Sequence, residues 1–425
     1  GHCEHCKKPL EIDISERVLK NSQGKTLKTI KIKKCKICKK EVSGYNKRIF
    51  RVRENIDKFE TVYFIDESSM VSDNQSFKDV EFGSGKLLKD LANYTDIENM
   101  NERKIIFVGD SAQLTPIGMN FSPALSKKYL QNEYNLNSDE YELTDIFRQD
   151  SDSGILHNAT KLRKSISKRI YHDLEFDMDD FDDICEISED PIEKYITMYD
   201  SSDMDKSLFI THSTKITNYY NKNIRSKIFH LNEDSDELVN QERLICIANN
   251  YKHEIFNGEF ITVKRLINSP IERTIFLAPS AEDRKIYEEK LGKKDFKRVP
   301  ITLKWQKAEI EYYDSEGKKA TKEVMLNITL LNTDDRSMTP LQSQALMVDN
   351  VMRNKIPDYD DEFFTSLVVK YGYAVVGHKA QGGEWDNVMI DFATHDTLNK
   401  NSEDFFRWCY TVITKTKENN FFINI

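Results

Sequence analysis

Two short apolar runs in this chain stop abruptly at carboxylates. One reads Val62-Tyr63-Phe64-Ile65-Asp66-Glu67-Ser68-Ser69-Met70, the other Ile105-Ile106-Phe107-Val108-Gly109-Asp110-Ser111-Ala112-Gln113-Leu114. Each pattern predicts a buried parallel strand delivering polar groups to its carboxyl end, where open α/β sheets bind ligands. The chemistry such groups can do is phosphoryl transfer to water, which needs positioning and charge neutralisation. An Asp at a strand end holds Mg²⁺, and a neighbouring Glu orients and deprotonates the attacking water. Asp66 and Glu67 have this arrangement, although two solvated acids capping a strand would look the same. Asp110 and Gln113 follow a glycine at the second strand end, where a Gln can sense a terminal phosphate. The run Leu143-Thr144-Asp145-Ile146-Phe147-Arg148-Gln149 adds Arg148, able to meet phosphate through two hydrogen bonds.

A second constellation opens the chain. Cys3-x-x-Cys6 and Cys35-x-x-Cys38 are two knuckles separated by 28 residues. Four thiolates in this pattern suit a closed tetrahedral Zn²⁺ site with a structural role. The alternative, four reduced thiols in a module of about 45 residues with almost no core, would hardly fold. His2 and His5 could compete as ligands. The alternation Lys28-Thr29-Ile30-Lys31-Ile32-Lys33 predicts a hairpin inside the spacer, and eight lysines lie between Lys25 and Lys40. They are either a solvated face or a phosphate-tracking surface.

These groups must be positioned by a chain of 425 residues, enough for two or three domains. Hydrophobic residues make up 39 % and charged residues 31 %, a globular balance. The net charge of −9 argues against a uniformly basic nucleic-acid binder but leaves room for a local basic groove. No apolar run approaches the roughly 20 residues that span a membrane, and no secretory segment opens the chain. With Cys185, Cys246 and Cys409 scattered, the thiols are expected to be reduced and the protein cytoplasmic. Strands alternate with polar helices over about 46–165. The acidic stretch Asp173–Asp183 reads as a loop with little to bury. Leu208–Thr211 is a strand leading into a helix through Tyr219, Tyr220 and Asn221. Between about 250 and 362 the pattern becomes all-β, with a turn at Asn257-Gly258 and a hairpin at Tyr312–Gly317. The α/β pattern resumes at Leu367 and ends in Phe421–Ile425.

Two further runs complete the series: Tyr373-Ala374-Val375-Val376-Gly377-His378-Lys379-Ala380-Gln381-Gly382-Gly383-Glu384-Trp385, and Tyr410-Thr411-Val412-Ile413-Thr414-Lys415-Thr416-Lys417-Glu418. In this order and spacing the five motifs resemble the superfamily 1B DNA helicases, closest to the RecD/Dda-like group that moves 5′ to 3′ on single-stranded DNA. The resemblance covers nearly the whole chain from about residue 46. It implies an α/β fold of two RecA-like domains, the first (46–165) incomplete and the second (166–248 and 363–425) interrupted by an SH3-like β-domain (249–362). The zinc module, 1–45, would be an insertion in the first. ATP and Mg²⁺ are the implied cofactors beside Zn²⁺, and the partner is single-stranded or tailed duplex DNA in repair or recombination. Residue by residue, it implies Mg²⁺ binding by Asp66, water activation by Glu67, and γ-phosphate reading by Gln113 and Arg148. Asp110, Gly383 and Glu384 would lie at the nucleotide. His378, Lys379 and Gln381 would couple it to the DNA track. Thr211, Ser213, Lys215, Asn221 and Arg225 would contact the DNA backbone. For these five, an ordinary strand, turn and helix is an equal reading.

The family's phosphate loop, G-x-x-x-x-G-K-[ST], should precede the first strand and does not appear. Phe82-Gly83-Ser84-Gly85-Lys86-Leu87 fails: Val80 stands at the first glycine, Leu87 at the Ser/Thr, and the segment follows the Asp-Glu strand. It reads instead as a turn opening a helix Lys86–Tyr94. The chain starts at Gly1-His2, two residues before a motif cysteine, so a trimmed end is expected, and the fragment alone should not hydrolyse ATP. Lys415 stands where the family places an arginine finger, and Lys lacks that planar contact. Val376 replaces a threonine expected to bond a DNA phosphate. The competing class is a catalytically inactive helicase-like module that binds nucleic acid. A 3′–5′ motor of the UvrD type is a further alternative, opposed by a short all-β insertion.

Overall fold

The computed structural model describes residues 12–20, 26–35, 48–75, 80–99, 102–144, 149, 152–172, 174–232, 235, 237–278, 298–355, 358–394 and 399–425. For 12–20, 26–35, 48–50 and 80–82 the description is of the backbone. The chain divides into two compact units, residues 1–59 with 73–100 and residues 60–72 with 101–425.

In the first unit, strands β1 (Ile12–Lys20) and β2 (Thr26–Cys35) form an antiparallel hairpin in which Ile12 faces Cys35. The hairpin is longer than the alternation at Lys28–Lys33 alone indicated. Strand β3 (Arg48–Phe50) pairs in parallel with a later strand of the same unit, β5 (Val80–Phe82). Helix α1 (Leu87–Thr95) follows the Gly83–Lys86 turn, one residue later than the sequence indicated.

In the second unit, strand β4 (Val62–Ile65) pairs in parallel with β6 (Lys104–Phe107). Their apolar runs are only half buried: Val62, Phe64, Ile106 and Val108 are all more than 40 % exposed, Phe64 reaching 70 %. Helices α2 (Lys127–Tyr134) and α3 (Gly154–Lys168) lead to strand β7 (Ile184–Glu186), helix α4 (Pro191–Met198), strand β8 (Ser207–Thr211) and helix α5 (Thr214–Phe229). The remaining elements are β9 (Arg243–Cys246), β10 (Phe260–Leu266), β11 (Ile271–Leu277), β12 (Val299–Tyr313), β13 (Lys319–Asn327), α6 (Pro340–Asn354), β14 (Leu367–Tyr371), β15 (Ala374–Val376), β16 (Trp385–Asp391), α7 (Glu403–Ile413) and β17 (Thr416–Ile423).

Five of these strands make a wholly parallel sheet in the order β15-β8-β16-β17-β7. Its strands β8 and β16 are buried along nearly their whole length, as a parallel sheet covered on both faces requires. Leu208 and Ile210 of β8 join the core with Leu162 of α3 and Phe405 of α7. Phe209, between them, points to the other core with Tyr195 of α4 and Tyr220 of α5. The acidic stretch before β7 is a loop whose acids are mostly exposed, while its apolar side chains Leu174, Phe176, Met178 and Phe181 pack onto this layer. Phe176 packs on Phe392 and Phe422 at ring-centroid distances of 5.2 and 4.8 Å, and Asp183 accepts from the Gly154 amide at the start of α3. Four apolar side chains spaced among the aspartates supply the burial that charge counting overlooked.

The all-β region closes on itself. β9 pairs with β10, β10 with β12, β12 with β13, β13 with β14, and β14 returns to β9. All are antiparallel except β13–β14, and β11 extends the sheet beyond β12. A register shift between Val263 and Arg265 bends β10 at the closure, the usual work of a bulge. Strands β9 and β14 lie outside residues 249–362 and complete the ring. Barrel residues Val263, Ile310 and Leu326 share one core with α4 and α5. Among the described residues no helix is long and apolar enough to cross a membrane.

Candidate nucleotide and nucleic-acid site

The two carboxylate-ending strands lie side by side, and their ladder continues past their ends. The Val108 amide donates to Ile65 O at 2.8 Å and the Ser68 amide to Val108 O at 2.8 Å. Gly109 permits this approach: a Cβ there would sit 2.9 Å from the Ser69 nitrogen. Asp66 is exposed and accepts from the Glu67 amide at 2.8 Å. Glu67 has φ 49° and ψ 37°, a left-handed conformation that costs a non-glycine residue on the order of 1 kcal/mol and concentrates at functional sites. The Ser68–Met70 turn behind it is pinned by Ser68, whose hydroxyl donates to Ile65 O at 2.6 Å, and by Ser122, which donates to Ser69 O at 3.0 Å.

The loop after β6 is held from the other direction. Asp110 Oδ2 accepts from the Tyr410 hydroxyl at 2.5 Å, and Oδ1 accepts from Arg163 Nη1 at 2.6 Å and the Ala112 amide at 2.9 Å. Arg163 also reaches Tyr410 Oη at 3.2 Å and Glu142 at 3.1 Å. Burial and the adjacent Asp110 carboxylate raise the Tyr410 hydroxyl well above its ordinary range, so it remains a donor. Arg407 grips Ser111 O and, at 3.2 Å, Gln113 O; Thr411 Oγ1 accepts from the Leu114 amide at 2.9 Å. Among the described residues, Gln113 Oε1 is buried without a hydrogen-bond partner. Both oxygens of Asp110, placed at the nucleotide by the resemblance, are thus engaged by α3 and α7.

The His378 motif forms a 3-10 turn, Gly377–Lys379, after β15. Gly377 is required there, since a Cβ would lie 2.4 Å from the Trp408 indole nitrogen. His378 is exposed, and Lys379 reaches Asn257 at the mouth of the barrel. The Gln381 amide is buried with neither atom hydrogen-bonded. Gly383 precedes Trp385, whose amide donates to Lys415 O at 2.9 Å, while Glu384 meets Lys417 at 3.4 Å. Lys415 itself is 3 % exposed.

Of the residues expected on the DNA backbone, Lys215 is exposed in the first turn of α5. Thr211 is buried against Thr217 at 2.7 Å, and Ser213 caps α5 by accepting from the Ile216 amide. Asn221 braces the backbone of Tyr373 and Ala374. Arg225 is 2 % exposed and bonds Glu242 through Nε at 3.1 and 3.0 Å. A buried arginine in that bond has no path to a phosphate in this conformation. Arg336, which sequence reasoning missed, does reach the outer end of α5, donating to Thr214 Oγ1 at 3.2 Å. Its loop is clamped there by Asn218 on Thr333 O at 2.7 Å and by Lys370 on the same oxygen at 2.6 Å.

Arg148, Cys3, Cys6 and Cys38 lie outside the described residues, and Cys35 is described by its backbone. Among described residues no cluster of metal-ligating side chains occurs. Sequence reasoning also missed Arg163, Arg407, Tyr410 and Thr411. Tyr410 and Thr411 belonged to a recognised motif, but nothing local in Arg163 signals a partner 53 positions away.

No family model and no curated protein matches the sequence. Among solved structures, the chain is similar to the Pif1 helicase from Candida albicans, with a TM-score of 0.37 and 13 % identity over 86 % of this chain and 74 % of that one. It is similar to Bacteroides Pif1 in complex with ADP-AlF3 and ssDNA, with a TM-score of 0.37 and 13 % identity over 88 % and 74 %. Bacteroides Pif1 bound to ssDNA gives 0.36 and 12 % over the same shares. Similarity at this level decides neither family nor activity, and the readings below rest on the residues themselves.

Proposed function

We propose that this chain carries the motor of an ATP-dependent superfamily 1B helicase or translocase of RecD/Dda-like type, moving 5′ to 3′ on single-stranded or tailed duplex DNA. The observation that carries this reading is the meeting of Asp66-Glu67 and Gly109-Asp110 at two adjacent parallel strand ends, with Glu67 held left-handed. Mg²⁺-ATP, when bound, supplies the phosphoanhydride to be cleaved. Asp66 is the exposed carboxylate suited to hold the metal, and Glu67 is placed to orient water. Gln113, three positions after Asp110, offers a buried amide oxygen with no partner among the described residues. Arg148, Gly383, Glu384 and Lys415 are proposed at the nucleotide, and Lys215, His378 and Lys379 on the DNA track. The closed ring order of five strands supports an SH3-like insertion within the second motor domain, and the two C-x-x-C knuckles, Cys3/Cys6 and Cys35/Cys38, are proposed to hold Zn²⁺.

A second reading, nucleic-acid binding without turnover, is favoured by one observation: Lys415 is buried to 3 % exposure where an open cationic finger would be needed. One experiment separates the two. The full-length protein should hydrolyse ATP with DNA stimulation, and Glu67→Gln should lower that rate by roughly 100-fold or more while retaining DNA binding. Intact DNA binding with no hydrolysis by the wild type would establish the second reading.

A further inference from the structure

We propose that Tyr410, Thr411, Arg407 and Arg163 are positioning residues that aim Gln113, making α7 the element that sets the geometry of the first strand pair's site. The inference rests on the motor reading and goes beyond it by giving these four residues a role that reading does not assign. Gln113 follows β6 by six positions, on a turn where its own amide donates to Asp110 O at 3.2 Å. Further bonds to that turn come from α7, almost 300 positions away in sequence. The Leu114 amide donates to Thr411 Oγ1 at 2.9 Å on one side of Gln113. Arg407, itself oriented by Glu403 at 2.7 Å, grips the carbonyl oxygens of Ser111 and Gln113 on the other. Asp110, at the loop's root, takes the Tyr410 hydroxyl at 2.5 Å and Arg163 Nη1 at 2.6 Å.

The chemistry of these bonds matches a device for transmitting motion. Arg163 and Tyr410 both donate to one carboxylate, and Arg163 also donates to Tyr410 Oη, so loss of either residue loosens the other's bond. Such charge-assisted bonds are short and directional. Helix α7 leads directly into β17 of the parallel sheet and packs against α3. Any shift of that sheet therefore moves Gln113 relative to Asp66 and Glu67. Asp110 acts in this arrangement as the anchor of the loop and not as a ligand of the nucleotide.

The test uses the full-length protein with Tyr410→Phe and Thr411→Val, each of which removes one bonding group at nearly constant volume. Hydrogen exchange without nucleotide should show the Leu114 amide region opening at least about 10-fold faster in both variants, with β8 and β16 protection unchanged. DNA-stimulated kcat should fall roughly 10- to 100-fold, with the KM for ATP held within about two-fold. In a Gln113→Ala background, Tyr410→Phe should cost nothing further, because both act through one amide. Unchanged exchange in both variants overturns the inference. So does faster exchange with wild-type stimulation, or full additivity with Gln113→Ala. A wild type that hydrolyses no ATP sinks the motor reading and this inference with it, whereas a stimulated wild type matched by both variants sinks this inference alone.

Discussion

Glu67 is the residue on which the chemistry and the backbone make opposite demands. Its side chain is the proposed water-orienting base, yet its φ of 49° is a conformation glycine adopts at no steric cost. The strain is maintained by the ladder bonds from Ser68 and Val108 and by the buried serines behind it. Glu67→Gly should consequently raise stability by about 0.5–1 kcal/mol while abolishing hydrolysis. Thermal unfolding of wild type and variant would check the first effect, and a lower midpoint for the variant would mean that the carboxylate itself stabilises the fold. The neighbouring Gly109 shows the opposite case, since its freedom is needed for close approach and its replacement would push Ser69 away.

At the scale of elements, the hairpin β1–β2 turns a spacing into a geometry. Ile12 faces Cys35 in register, so Cys35, at the end of β2, stands opposite the start of β1. Four thiolates in two C-x-x-C knuckles suit a closed tetrahedral site. Along the ladder, Asp13 stands opposite Lys34 and Glu16 opposite Lys31 in backbone register. Elemental analysis of the purified protein should find about one zinc per chain, and Cys35→Ser should lose it together with protection of the hairpin amides. A metal-free protein with an intact hairpin would remove the module's structural role.

The whole molecule was legible where pattern and burial coincide. The apolar run at β8, the Asn257-Gly258 turn and the hairpin at Gly317 appear where apolar pattern and turn chemistry put them. What sequence could not show is long-range: the barrel's closure by β9 and β14, the α7 grip on Gln113, and the employment of Arg225 inside the fold. Arg225 looked like a helix-face cation because nothing in α5 names Glu242, which lies in the segment leading into the barrel. The two groups meet with the Tyr373 hydroxyl, 3.0 Å from Glu242 Oε1, where barrel and parallel sheet share one core. Removing the arginine alone, as Arg225→Ala, should cost about 3–5 kcal/mol by leaving a buried carboxylate, while DNA affinity of the folded protein stays unchanged. Burial raises Glu242 to about 7, with Arg225 and Tyr373 pulling the other way. In the unfolded chain a Glu titrates near 4.3, so between that value and 7 the folded state binds the extra proton. This contribution is fully present below the unfolded value and is lost as pH rises through 7. Its ceiling is on the order of 3 kcal/mol. The wild-type unfolding midpoint should therefore drop between about pH 5 and pH 7.5 more steeply than that of Glu242→Gln, which has no proton to lose. Parallel slopes would mean that Arg225 keeps Glu242 ionised throughout, and the joint between barrel and sheet would then be a permanent ion pair.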